Sequence, residues 1–460
     1  MTNKIKFEKI SKIKGTRDFD TFNYALRDEM INAFKNLVTN NSFQLISTPI
    51  IEDARLFKRS VGESEIVKKE MYEFQDKGKR DLVLRPEGTA SFIRAYIENN
   101  WENLNNKRYA YIGPMYRYEQ PQKGRYREFY QAGVEYIGTK NPYKDAQVIS
   151  LAFYFLQMLE INNVLLINTI GDSQSRANYE QALYDYLLPF KDQLSEISQQ
   201  RLADKKVLRI LDDKQDVNKD FIKQAPILKD YLSPESKAYF DKLLKILDSM
   251  EIEYQISNQL VRGLDYYDEI VFEFIATDSS SNSQGTVIGG GRYSNLIEQL
   301  GGNAQSSVGF GVGIDRILDL LLDNLEAYPI TQAVKDNLVP DIYIAFSNFE
   351  NNTEWAFEFT HSIVYDTLKM QVEYDLIKSK NLYKRYLETN APFLITDDAK
   401  LGSDFIVIKT NFSDDRCVLR KNANTFEDAY RFIIENGKDV INPTSLEQLE
   451  ELFDQYLQEI

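Results

Sequence analysis

Apolar residues first recur at helical spacing. Between Asp20 and Val38, Phe22, Leu26, Met30 and Phe34 fall four apart, which predicts a helix with one buried face. The period then shortens. Phe43–Ile51 reads as a short apolar strand ending around Pro49. Leu82–Leu84 reads as another, followed by the turn Arg85-Pro86-Glu87-Gly88 and a helix opening at Thr89. Arg108–Tyr118 and Arg127–Ile137 alternate with period two, and the stretch between them carries Pro121 and Gly124, which suits a long hairpin loop. From Ser173 to about Met250 the pattern is helical and charged, the mark of a helical insertion. Strands return at Tyr266–Thr277, Val287–Gly291 and Ser307–Gly313. The Ser/Asn-rich stretch Asp278–Ser283 reads as a solvated hairpin loop, and a helix runs from about Ile314 to Leu322.

Pro329 and Pro340 bracket an expected linker. Beyond it strand and helix alternate: strands at Ile342–Phe346, Val372–Tyr374, Phe393–Thr396 and Phe405–Lys409, helices near Thr353–Lys369 and Leu382–Thr389. That alternation predicts a small α/β domain with a largely parallel sheet. A last helix opens at Thr444, with Glu447 completing a capping box. The expected division is therefore an α+β domain over 1–330, with its insertion at about 173–250, and an α/β domain over 338–460.

Composition narrows the classes. At 460 residues, 43% hydrophobic and 27% charged, the chain fits two or three globular domains. No apolar run is long enough to span a bilayer, and Met1–Lys14 lacks the apolar core of a secretory signal, so no membrane association and a cytoplasmic location are expected. One cysteine, Cys417, and one histidine, His361, leave no cysteine-rich or multi-histidine metal site. His361 lies where Trp355, Phe359 and Ile363 recur every four residues, and reads as an ordinary helix residue. The net charge of −15 argues against a generic DNA or RNA binder, so any nucleic-acid contact must be local. There is no P-loop and no strand–GxGxxG–helix unit.

The hairpin carries the candidate chemistry. On its second strand Arg127, Phe129, Gln131, Gly133 and Glu135 share a face; on its first, Met115, Arg117 and Glu119 do. This is either an amphipathic hairpin turned to water or a ligand-binding face. Phe129 among polar residues suits stacking on something flat, and Gly133 suggests a gap where a small ligand lies. Two arginines and a ring suit a nucleotide, since guanidinium forks grip phosphate oxygens. A carboxylate and an amide suit a small polar substrate. The run Gly289–Tyr293 offers close backbone approach, though a plain tight turn is the commoner explanation of such a run.

Several segments together resemble the histidyl-tRNA synthetase family of class II synthetases. Tyr111–Glu119 (YIGPMYRYE) through Gly124–Gln131 (GRYREFYQ) and Glu135 resembles motif 2. Leu260–Tyr267 (LVRGLDYY) and Gly289–Tyr293 (GGGRY) resemble the family's two signature peptides, and Val308–Arg316 (VGFGVGIDR) resembles motif 3. Pro49 in Ser47–Glu52 (STPIIE) fits motif 1, and Arg85–Thr89 (RPEGT) fits an amino-acid-binding turn. The likeness is dense over residues 7–322 and loose beyond. It implies a class II antiparallel sheet of six or so strands, a homodimer through motif 1, a C-terminal α/β anticodon-binding domain, and ligation of histidine to histidine tRNA with ATP and Mg²⁺.

By the same resemblance Arg117 holds the α-phosphate and Arg316 the γ-phosphate, with Arg125 also on ATP, Phe129 stacked on adenine and Glu119 nearby. Glu87, Thr89 and Gln131 hold the histidine ammonium, and Glu135 and Tyr267 take the imidazole nitrogens. Tyr266 and Tyr293 belong to that pocket, Arg117 also reaches histidine, and Arg262 bridges the histidine carboxylate and the α-phosphate. Three positions depart from the family: Gln120 replaces a usual Arg in the loop facing the tRNA acceptor end, Tyr130 a common His, and Ser294 a usual Asp. The competing expectation is a histidine-sensing regulatory paralogue that serves ATP phosphoribosyltransferase without catalysis. Arg117, Arg262, Arg316 and the domain after Asp341 speak against it.

Overall fold

The computed structural model describes residues 8–60, 66–120, 123–211, 213, 215–258, 260, 266–277, 285–363, 368–422, 425–438 and 440–441. The chain divides into two compact units, Met1–Gln332 and Ala333–Ile460. The strands of the first are β1 (Gln44–Ile46), β2 (Ile51–Asp53), β3 (Tyr72–Gln75), β4 (Asp81–Leu84), β5 (Arg108–Tyr116), β6 (Glu128–Ile137), β7 (Asn163–Gly171), β8 (Tyr254–Ile256), β9 (Asp268–Ala276), β10 (Thr286–Tyr293) and β11 (Ser307–Gly313). Eight form one sheet in the order β1-β5-β6-β11-β10-β9-β7-β8. The six inner strands are antiparallel throughout, as expected, while the short edge strands β1 and β8 pair parallel to β5 and β7. The remaining three make a small sheet, β2-β4-β3.

Alternation sorts the main sheet into two faces. On β6, Ala132 and Val134 are buried. On that side lies the predicted first helix, Thr21–Asn40, capped by the Asp20 carboxylate, which accepts from the Asn23 N–H at 2.8 Å. Its Phe34 ring meets Phe155 of the Pro142–Met158 helix edge-on at 5.4 Å and Phe310 of β11 at 6.5 Å. The helical side is thus a closed core, and the opposite face of the sheet is left for other side chains.

The expected single strand Phe43–Ile51 is two strands in different sheets. Arg85 explains the break. Buried at the end of β4, it donates through Nη1 to the Thr48 carbonyl at 2.8 Å and through Nε to the Pro114 carbonyl at 2.9 Å, holding the chain between β1 and β2 out of either ladder. The insertion is helical as expected, with helices Ser173–Leu187, Glu196–Ala203, Asp220–Lys223 and Pro234–Ser249. Its Leu183, Leu187 and Leu202 join the same buried cluster as Tyr111, Tyr266 and Tyr293, and its Phe190 and Phe221 rings stack 4.6 Å apart.

The expected linker between Pro329 and Pro340 is instead a helix, Pro329–Leu338, opening on proline where a missing N–H costs nothing. In the second unit the strands are β12 (Ile342–Ile344), β13 (Met370–Val372), β14 (Phe393–Thr396), β15 (Phe405–Thr410) and β16 (Arg416–Arg420), in the order β13-β12-β14-β15-β16. β12 pairs parallel with β13 and β14, whereas β15 and β16 add antiparallel, so the sheet is mixed rather than largely parallel. Helices Asn351–Ile363, Ser379–Thr389 and Thr425–Gly437 complete it. β16 and the last of these helices were not anticipated. The hairpin loop expected at Asp278–Ser283 and the helix expected from Thr444 lie outside the described residues. No helix among those described is long and apolar enough to cross a membrane.

Candidate functional site

The register of the main sheet builds a floor of glycines. Along one row Tyr111, Gly133, Gly311, Gly289 and Glu273 stand side by side across β5, β6, β11, β10 and β9. The next row reads Tyr109, Glu135, Gly309, Gly291 and Val271. A Cβ on four of these glycines would collide with a neighbour: at Gly309 with the Glu135 carboxylate, at Gly311 with the Gln131 amide, at Gly291 with the Tyr267 ring, at Gly133 with the Tyr111 ring. Their absence lets long polar side chains lie flat along the sheet instead of standing up from it.

Glu135 is the centre of this surface and only 1% exposed, so it is no solvated strand residue. Its Oε1 accepts from the Thr89 hydroxyl at 2.8 Å and from the Tyr111 hydroxyl at 3.4 Å; its Oε2 accepts from the Tyr293 hydroxyl at 2.6 Å. Burial lifts its pKa to about 8, against the pull of those hydroxyls, and the nearby Glu87 adds to the lift. The Tyr111, Tyr266 and Tyr293 hydroxyls are held protonated, first by burial and then by the surrounding acidic groups. The Tyr266 ring packs 4.7 Å from Tyr267 and 5.4 Å from Tyr293.

Glu87 sits at the start of the Thr89–Glu98 helix and accepts from the first-turn N–H groups of Thr89 at 2.8 Å and Ala90 at 2.7 Å. Burial raises its pKa, opposed by these N–H groups and by Arg117. Gln131 points the same way from β6, and its Oε1 is buried with no hydrogen-bond partner. Two buried carboxyls and an unpaired amide oxygen form an acceptor-rich pocket, which a small ligand bearing N–H groups would complete.

Arginines gather beside it. Arg117 donates through Nε to the Pro86 carbonyl at 2.8 Å, and its guanidinium lies 5.2 Å from the Phe129 ring centroid. Glu119 stands between Arg117, at 3.9 Å, and Arg125, at 3.4 Å. Arg316, at the start of the Ile314–Asp323 helix, donates to the carbonyls of Gly124 at 3.2 Å and Thr286 at 2.8 Å. Its pKa is lowered by burial and by the like charges of Arg125 and Arg117, which places the three cations in one neighbourhood. Such convergence of positive charge suits a polyanion.

The structure thus brings together Glu87, Thr89, Gln131, Glu135, Tyr266, Tyr267 and Tyr293 around the glycine floor, and Arg117, Glu119, Arg125, Phe129 and Arg316 beside it. Arg262 lies outside the described residues. One expectation changes. The space over Gly133 is not open: the Tyr111 ring fills it, packed also against Gly88. Phe129 carries the Arg117 guanidinium at one of its faces. Sequence reasoning passed over Tyr111 and Gly309 as site residues. The available signal was phase: Tyr111 and Gly113 alternate like Gly133 and Glu135, and Gly309, Gly311 and Gly313 do the same. His361 is an exposed residue of the Asn351–Ile363 helix, stacked on Phe357 at 5.9 Å.

A family model described as Histidyl-tRNA synthetase matches residues 15–317. A histidine–tRNA ligase from Lactococcus lactis subsp. cremoris (strain MG1363) is 40% identical over 415 residues, covering 88% of this chain and 93% of the relative. Among solved structures, apo histidyl-tRNA synthetase from S. aureus superposes with a TM-score of 0.73 at 31% identity, covering 90% of this chain and 97% of that one. An ATP phosphoribosyltransferase regulatory subunit/histidyl-tRNA synthetase from Bacillus halodurans superposes with a TM-score of 0.58 at 21% identity, covering 83% of this chain and 97% of that one, a likeness of fold alone.

Proposed function

The chain belongs to the histidyl-tRNA synthetase family and is a histidine–tRNA ligase, and we propose that the glycine-floored pocket is where it activates histidine. The observation that supports this most is the buried Glu135, ringed by Thr89, Tyr111 and Tyr293 and set beside three converging arginines. Glu135 and Tyr267 take the two imidazole nitrogens, with Tyr266 and Tyr293 walling the pocket. Glu87, Thr89 and the unpaired Gln131 Oε1 take the α-ammonium. Arg117 and Arg262 hold the histidine carboxylate against the α-phosphate, Arg125 and Arg316 hold the outer phosphates, and Phe129 faces adenine with Glu119 close by.

In this reading a histidine carboxylate oxygen attacks the α-phosphorus, and the bond to the β-phosphate oxygen breaks as pyrophosphate leaves. Negative charge spreads over the phosphoryl oxygens, where fixed guanidinium groups stabilise it. No protein nucleophile is required. Magnesium enters with the triphosphate as the substrate MgATP. The 3′-terminal hydroxyl of histidine tRNA then displaces AMP from the adenylate. The second unit, from Ala333, is the anticodon-binding domain, and the protein works as a cytoplasmic homodimer. Ile50 and Ile51, beside Pro49, are exposed apolar residues of the kind a dimer contact would cover.

Purified protein with MgATP should exchange pyrophosphate into ATP only when histidine is present; no histidine-dependent exchange would refute the pocket assignment. Because the chain carries a net charge of −15, tRNA contacts must concentrate on local cations such as Lys123, Arg125 and those of the second unit. Raising salt from low to high should therefore weaken tRNA binding steeply, and binding that does not change would contradict it. Deleting the chain from Asp341 should spare exchange and impair charging of tRNA.

A further inference from the structure

Arg17 lies far from the pocket in sequence and in no motif that carries the family likeness. It is nevertheless mostly buried, with its side chain 17% exposed. Its Nη1 donates to Asp319 Oδ1 at 2.6 Å and to the Tyr126 hydroxyl at 3.2 Å, and its Nη2 pairs with Asp315 Oδ1. The guanidinium also lies against the rings of Tyr126 and Phe19, at 4.3 and 4.6 Å from their centroids. The two carboxylates stand one turn apart on the Ile314–Asp323 helix that carries Arg316.

The second oxygen of each carboxylate is spent on the hairpin. Asp319 Oδ2 accepts from the Gly124 N–H at 3.0 Å and from the Tyr126 hydroxyl at 2.7 Å, and Asp315 Oδ2 accepts from the Tyr130 N–H. Gly124 has φ of 73°, a left-handed conformation that only glycine adopts readily, and its carbonyl receives Arg316 Nε. The Gly15 carbonyl accepts the Arg127 N–H at 2.7 Å, so the segment holding Arg17 is itself tied to the hairpin. Without Arg17 the two carboxylates would lie buried and unneutralised, and their mutual repulsion would loosen the hold they keep on the loop that presents Arg125.

We propose that Arg17 is a positioning residue for the nucleotide half of the site. It neutralises Asp315 and Asp319 and, through them, fixes the Gly124–Tyr130 backbone so that Arg125 and Arg316 converge on the ATP phosphates. The inference rests on the reading that these arginines bind ATP. Histidine is held by Glu87, Gln131 and Glu135, none of which the Arg17 cluster touches, so the cluster acts on ATP and not on histidine.

The test is pyrophosphate exchange by the full-length protein with ATP and histidine varied separately, joined to equilibrium dialysis of histidine without ATP and to melting curves. Arg17→Ala should raise KM for ATP about tenfold or more while histidine Kd stays within about twofold, a split that general destabilisation does not produce. Arg17→Lys, which keeps the charge but not the fork, should recover part of the loss. Tyr126→Phe removes one hydroxyl from Asp319 and should raise KM for ATP several-fold with an unchanged melting temperature, so a poorly folding Arg17→Ala protein does not decide the matter. An unchanged KM for ATP in Tyr126→Phe and Arg17→Lys, or parallel weakening of histidine and ATP, would overturn the proposal while leaving the function intact. Absence of exchange in the unmodified protein would instead remove the reading beneath it.

Discussion

Glu135→Gln is expected to abolish histidine-dependent pyrophosphate exchange, with kcat/KM for histidine falling by about three orders of magnitude or more while the protein folds. The change is nearly isosteric, so packing is not the cause. A carboxylate only accepts hydrogen bonds, and here its oxygens accept from Thr89, Tyr111 and Tyr293. An amide turns one of those acceptors into a donor facing hydroxyls, and it cannot ionise to offer a charge to an imidazole N–H as the Glu135 carboxyl can. The same logic predicts rejection of phenylalanine: an apolar ring would leave Glu135 and Tyr267 buried without a ligand partner, enough for discrimination of roughly ten-thousandfold without editing. A variant with near-normal histidine dependence would remove Glu135 from the recognition site.

The same substitution has a signature in stability. The folded carboxyl titrates at about 8, above its ordinary value of 4.5, because burial penalises the anion. A raised folded pKa gives a contribution to stability that is fully present below the unfolded value and is lost as pH rises through the folded one. Between pH 5 and pH 8, then, the ligand-free protein should lose melting temperature partly on account of Glu135, and Glu135→Gln should lose less. Identical slopes in calorimetry across that range would contradict the buried assignment.

Arg117→Ala is expected to lower kcat for exchange by about a hundredfold to a thousandfold, as removal of a fixed charge at a developing oxyanion does. Arg117 is preset for this: Nε is tethered to the Pro86 carbonyl at 2.8 Å and the Phe129 ring limits where the fork can swing. Pro86 precedes Glu87, so the tether also ties the phosphate side to the amino-acid side. Arg117→Lys should recover only about tenfold, since an ammonium keeps the charge but not the bidentate geometry. If kcat is unchanged and only KM for ATP rises, Arg117 is a ground-state binding residue and the transition-state role is wrong.

Much of this protein was legible along the chain. The four-residue spacing of Leu26, Met30 and Phe34 gave a helix because burial on one face needs only that period. Strict alternation on β5 and β6 gave the hairpin, and the ordered motifs gave the family. The edge strand β8 escaped for a physical reason: its three residues are too few to express a period. The Pro329–Leu338 helix was read as a linker because proline breaks a helix in its interior yet suits its first turn.

What the sequence determined alone is the kind of residue each strand presents to each face, since alternation and chemistry are local properties. Which residues meet was decided by register, a long-range property that no local pattern contains. Register set Gly309 opposite Glu135 and so left room for a carboxylate to lie on the sheet. It set Tyr111 opposite Gly133, filling a space that glycine alone had suggested was open. It was tertiary packing, too, that carried Arg17 across 302 positions to Asp319, because two carboxylates buried one turn apart need a cation between them, and chain distance has no part in that requirement.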